Sequence, residues 1–206
     1  MKPNQKFSKL ASDKTIEKTV EALERNGIKA IVVGNSGQAK KEALDMMPAG
    51  AEVFTATSQT TEVVSLAKEI NESGEYNSVR NKLMAMDRNT KGREMAKLGA
   101  SPEFVVGSVH AVTEDGQLLI ASATGSQLSA EAYSAEKVIF LVGTQKIVKD
   151  LQEGLKRIQE YSYPLEDIRA QKAYGIRSGV NKILVINKEM TPRRITVILI
   201  KKNLGF

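Results

Sequence analysis

Residues 137–142 read KVIFLV, an apolar run without alternation. A strand with one wet face alternates apolar and polar side chains, whereas an unbroken apolar strand belongs to a sheet covered on both faces. Helices must then flank the sheet on either side. The fold class expected is α/β: a three-layer sandwich with a mainly parallel central sheet.

The flanking sequence supplies those layers. Residues 15–26 predict a helix, because Ile16, Val20 and Leu23 share one face and Asn26-Gly27 ends the repeat. A strand follows at 29–34, and a helix over 38–47 is stopped by Pro48. A strand at 51–55 leads into a helix opened by Thr57–Thr61, with Val63, Val64, Ala67 and Ile70 inward. Residues 71–90 carry a weak signal, in which Val79, Leu83 and Met86 hint at a helix. A helix over 91–99 and a strand over 103–106 come next.

Glu114-Asp115-Gly116 is a hairpin turn whose return strand is 117–121. Helices are expected at 127–135, at 148–161 (Leu151, Leu155 and Ile158 on one face) and at 164–172. Strands at 182–187 and 195–200, broken at Thr191-Pro192, complete the chain. No linker composition interrupts it, so one domain over residues 1–206 is expected.

Composition removes several function classes. There is no Cys, which excludes disulfides, thiolate-held zinc and iron–sulfur ligation, and a single His, His110, leaves no soft-metal set. No metal site and no cofactor of its own are expected. The N-terminal segment lacks an apolar signal core, and every apolar run is far below the ~20 residues of a membrane span. The cytoplasm is the expected location, with no membrane partner. The net charge of +6 points to an anionic partner or to a lysine-rich solvated surface. Basic residues occur as scattered pairs such as Lys40-Lys41, Arg193-Arg194 and Lys201-Lys202, and Trp is absent. Both facts favour the solvated surface over a nucleic-acid-binding protein.

Three strand-to-helix junctions concentrate small polar residues: Gly34–Gly37, Thr57–Thr60 and Thr124–Gln127. Helix N-termini leave backbone N–H groups unpaired, and hydroxyls add donors, so such junctions favour anions. They also suit simple capping. The candidate ligand-binding residues are Thr57, Ser58, Thr60, Thr124, Gly125, Ser126, Gln127, Gly143 and Lys146. Asp115 and Glu114 are the candidate acid or base, although Asp before Gly also suits a turn. His110 could titrate or pack.

The segment from Gly107 to Ile158 resembles the LUD-domain family of lactate-utilisation proteins. Its run of apolar strand, Asp-Gly turn, apolar strand, Thr-Gly helix start and K-V-I-x-x-V-G-x-x-K-I-V-x-D-L matches at Lys137, Val138, Ile139, Val142, Gly143, Lys146, Ile147, Val148, Asp150 and Leu151. Pro164, Arg169 and the closing residues 195–206 are also similar to the family. Ala56-Thr57 stands where the family has a glycine pair, and Gln127 where it often has Arg.

The resemblance implies a fold similar to ribose-5-phosphate isomerases and CoA-transferases, and a link to the oxidation of lactate to pyruvate. It implies the short, cluster-free type, working as a subunit or accessory protein beside iron–sulfur partner subunits and binding a small anionic metabolite: lactate or pyruvate, a sugar phosphate, or an acyl-CoA. Any catalysis would belong to an oxidoreductase complex. The alternatives are a stand-alone isomerase or CoA-transferase-like enzyme, and the basic nucleic-acid-binding protein.

Overall fold

The structure, a computed structural model, describes residues 2–206. Its spine is a six-stranded, all-parallel sheet in the order β1-β10-β7-β4-β2-β3. The strands are β1 (Lys29–Val33), β2 (Glu52–Thr55), β3 (Asn77–Ser78), β4 (Phe104–Gly107), β7 (Lys137–Gly143) and β10 (Ile195–Ile200). β7 lies between β10 and β4, with Ile139 opposite Thr196 and Val106.

Both faces of the sheet are covered, which is why its central strands read as continuous apolar runs. On β7 and β10, Val138, Phe140, Val142, Val197 and Leu199 enter one core, while Ile139, Leu141, Ile198 and Ile200 enter the other. Helices α2 (Ser36–Leu44) and α4 (Leu66–Glu72), with Val64 just after the short α3 (Gln59–Val63), close the second core through Ala39, Ala43, Val64, Leu66 and Ile70. Helix α1 (Asp13–Arg25), capped by Ser12, closes the first with Ile16 and Leu23. Helices α5 (Val79–Met84) and α6 (Arg88–Ala100) lie between β3 and β4 in the chain, and Leu83 and Leu98 pack against the same core. The three-layer α/β architecture is the one the sequence predicts.

A second sheet was not foreseen. Strands β5 (Ala111–Thr113), β6 (Leu118–Ser122), β8 (Ile147–Val148) and β9 (Lys182–Ile186) form it in the order β8-β5-β6-β9. Val112, Leu118, Ile120 and Ile186 pack onto the first core. The opposite face, with Ala111, Leu119 and Val148, packs on Ile158 and Tyr161, which follow α7 (Leu151–Arg157). β9 therefore belongs to this small sheet rather than to the parallel one.

Two helices also differ from the periodicity. Ser65 adopts a left-handed conformation and splits the helix after Thr57 into α3 and α4, leaving Val63 exposed. Leu155 is exposed too, because α7 turns Gly154 inward, where a Cβ would lie 2.8 Å from Leu119. A π turn, Ile158–Ser162, joins α7 to α8 (Tyr163–Tyr174). No helix among the described residues is long and apolar enough to cross a membrane.

Candidate functional site

The carboxyl ends of β2, β4 and β7 lie side by side in the sheet and open onto one cleft of about 270 Å³. Ligands of open α/β sheets bind at this edge. Ala56–Gln59 extends β2, Ser108–His110 extends β4, and Lys146 follows β7. The facing walls come from Ala121–Thr124 at the end of β6, from Arg80 of α5, from Glu131, and from Tyr163, Glu166 and Arg169 of α8.

Lys146 is the floor. Its ammonium is fully buried and donates to Thr60 Oγ1 (3.1 Å), Ser108 Oγ (3.0 Å), Val109 O (3.0 Å) and Phe206 O (3.3 Å). Thr60 and Ser108 offer neutral hydroxyls, and Val109 a neutral carbonyl. Burial, reinforced by the positive charge of Arg157, pushes its pKa well below the usual lysine value.

Arg157 lies behind the cleft, over the Tyr161 ring at 5.0 Å. One nitrogen, Nη1, donates to His110 O and to Ser162 Oγ (2.9 Å), while Nε and Nη2 have no partner among the described residues. Burial lowers it to about 10, so it stays charged. His110 shows part of its surface to the cleft, and its Nδ1 accepts from the Ala121 N–H at 3.0 Å. Desolvation, with Lys146 and Arg157 nearby, pushes His110 down to about 3. It is therefore a packed neutral imidazole, protonated at Nε2.

Glu131 is the acid of the site. It sits in a π turn, Ala130–Ser134, a geometry that recurs at functional sites. Arg194 fixes that turn by donating to the carbonyls of Glu131 (3.0 Å), Ala132 (3.1 Å) and Ala135 (3.2 Å) while pairing with Glu189 at 2.7 Å. This half of the Arg193-Arg194 pair is thus buried structure, not solvated charge. The Glu131 carboxyl is buried, its Oε2 has no partner, and desolvation raises it to about 8.

Arg80 supplies the cation. It lies 5.5 Å over the Phe54 ring, donates to Thr55 O and, at 3.0 Å, to Thr57 Oγ1, and has no carboxylate partner. Its Nη1 has no hydrogen bond among the described residues. Arg169 is instead held in a bidentate pair by Glu166, at 2.7 Å for each contact.

Thr57, Ser58, Thr124, Ser126, Gln127 and Lys146 all line the cleft, and Thr60 stands behind Lys146. Three of the junction N–H groups are locally occupied. Ser58 caps Thr61, the Gly125 N–H donates to Ser122 Oγ at 2.8 Å, and the Ser126 N–H donates to Thr124 Oγ1. Gly125 has φ +83 with Lys182 packed over it, so its immediate role is the turn. Gly143 is also off the lining and packs against Lys202 and Leu204.

Asp115 and Glu114 are not brought to the cleft. The Asp115 carbonyl accepts from Asn26, and Glu114 pairs with Lys18 of α1 at 2.9 Å. Two side chains of the lining, Glu131, an acid with no cationic partner, and Arg80, an arginine with no carboxylate partner, were missed. Arg80 lies in the segment with the weakest pattern, and Glu131 reads as one more exposed helix residue among Ser129, Ala132, Tyr133 and Glu136.

A parallel α/β sheet with a polar cleft at its carboxyl edge defines the class. Within it, the chain belongs to the LUD-domain family, whose model matches residues 16–200. A crystal structure of a DUF162 family protein from Deinococcus radiodurans is similar in fold, with a TM-score of 0.56 at 12% identity over 93% of this chain and 99% of that one. The beta subunit of eIF2B from Chaetomium thermophilum aligns at a TM-score of 0.39 and 17% identity, over 70% of this chain and 46% of that one. No curated protein matches in sequence. At family level, membership supports a role related to lactate utilisation.

Proposed function

We propose that the cleft binds a small 2-hydroxy or 2-oxo acid of the lactate–pyruvate kind, and that the protein serves lactate oxidation as a cluster-free component beside iron–sulfur subunits. The observation that carries this reading is Arg80, a cleft-wall guanidinium with no carboxylate partner and an unengaged Nη1. A ligand carboxylate there would gain a charge-assisted hydrogen bond. The two electrons of lactate oxidation would pass to the partner subunits.

A stand-alone isomerase acting on a sugar phosphate is the second reading. Glu131 favours it, because a buried carboxyl raised to about 8 suits proton transfer.

Calorimetric titration with L-lactate, pyruvate, ribose 5-phosphate and acetyl-CoA separates these readings. Pyruvate or lactate is expected to bind, and Arg80→Gln to weaken that binding about tenfold, or ~1.4 kcal/mol. Unchanged affinity in a folded Arg80→Gln protein would remove Arg80 from the site. Arg80 is a better test position than Gly125, where any side chain is strained by φ +83 before a ligand is considered.

A further inference from the structure

We infer that the amino edge of the parallel sheet carries a second small-molecule site: an apolar cavity with a basic rim, which takes an amphipathic anion, a short apolar chain ending in a carboxylate or a phosphate. The site is separate from the cleft at the carboxyl edge and goes beyond the 2-oxo acid reading.

Strand register gathers its residues. Lys29 of β1 lies opposite Thr196 of β10, and Thr196 lies opposite Ile139 of β7. Two residues before Ile139, Lys137 lies opposite Phe104 of β4. Partners in a ladder share a face of the sheet, and so do residues two apart on a strand. All five side chains therefore stand on one face, that of the second core, which Ile139 and Phe104 enter. Met46, in the turn after α2, packs against the same core. Among this turn, the strand starts and Arg193 lies a cavity of about 230 Å³.

The wall and the rim differ in character. Met46, Phe104 and Ile139 supply apolar surface, while Lys29, Lys137 and Arg193 supply charge. None of these three cations makes an ion pair or a side-chain hydrogen bond among the described residues, whereas Lys40 and Lys82 on the helices find Glu69 and Glu52. Arg194, also on the lining, is committed to Glu189 and to three carbonyls. Like charges gathered at one opening repel one another, and an anion between them relieves that repulsion.

Thr196 points to where the anion sits. It is 6% exposed and borders the cavity, yet its hydroxyl makes no hydrogen bond among the described residues. Buried hydroxyls are ordinarily bonded, so the cavity is the side from which a partner reaches this one. β10 runs between β1 and β7, which places Thr196 between Lys29 and Lys137. A carboxylate or phosphate held there accepts from the hydroxyl and from both ammonium groups, with its apolar chain against Met46, Phe104 and Ile139.

The test is titration calorimetry of the full chain with hexanoate and hexyl phosphate. At least one is expected to bind, and the tighter of the two identifies the anionic end. Hexanol, hexylammonium and inorganic phosphate, which lack the charge, its sign or the chain, should each bind at least about tenfold more weakly. Lys29→Gln combined with Lys137→Gln should weaken the anion about tenfold, and Thr196→Val, which keeps the shape and removes the hydroxyl, about fivefold. Arg80→Gln, at the other edge of the sheet, should leave its affinity unchanged. Hexanol binding as tightly as the anions, or unchanged affinity in either the double variant or Thr196→Val, overturns the inference. A loss in Arg80→Gln overturns it too, by placing the ligand in the carboxyl-edge cleft. Failure of both anions to bind overturns this site and leaves the 2-oxo acid reading standing.

Discussion

Glu131→Gln is expected to be more stable than the natural chain at pH 8 by about 3 kcal/mol, and nearly equal to it at pH 4.5. The Glu131 carboxyl rises from 4.5 in the unfolded chain to about 8 when folded, through desolvation alone. Between those values the folded protein holds a proton that the unfolded chain has released. Its contribution is therefore fully present below 4.5 and is lost as pH rises through about 8. At about 1.4 kcal/mol per unit, the upper bound is ~5 kcal/mol, which water entry around the ionised form would reduce. Glutamine carries no such proton.

His110 acts in the opposite sense. Its pKa falls from 6.5 to about 3 on folding, so its contribution is present above 6.5 and is lost as pH falls. That term is common to both proteins and cancels in their difference. Urea unfolding of the pair at pH 4.5, 6.5 and 8 measures it. A difference that does not grow with pH would show that Glu131 is ionised in the folded protein, and would remove it as a proton donor.

Gly143→Ala is expected to destabilise the protein by about 3 kcal/mol. Gly143 ends β7 with an ordinary backbone conformation, so conformational freedom is not the reason. Space is. An added Cβ would lie 2.2 Å from Gln145 Oε1, 2.6 Å from Lys202 O and 2.9 Å from Leu204 N, and two of these are backbone atoms. That terminal segment also holds the site together, since Leu204 O accepts from Thr60 and Gln145, and Phe206 O accepts from Lys146. Gly50→Ala is the control. It has φ +80 but nothing within 4 Å, and should lose only about 1 kcal/mol. Urea midpoints of the two variants decide the matter. Equal losses would mean that the segment after β10 yields easily.

The fold was legible where burial dictates sequence. β7 and β10 were read at their observed positions to within a residue, because a strand covered on both faces must be apolar throughout. The second sheet was not legible, because periodicity identifies a strand but not its partner: β9 looks like any late strand, and β8 is only two residues long. The cleft follows the same division. Its junction residues announce themselves as hydroxyls and glycines after strands. Glu131 does not, because its burial comes from a π turn held by Arg194, sixty-odd positions later in the chain. Nor does Arg80, which reaches back to the carbonyl of Thr55 from a helix with little pattern.

The central place of β7 also gives the cleft unequal jaws. Lys146 hangs from a strand laddered on both sides, whereas α8 and residues 175–181 reach the cleft from the periphery, where Ile168, Tyr174 and Ile176 are exposed. Opening of the peripheral jaw needs far less of the protein to come apart than displacement of the amine does. A ligand would meet a fixed floor beneath a yielding wall. Amide exchange should therefore record its arrival as slowing in α8 and residues 175–181, with β7 unmoved.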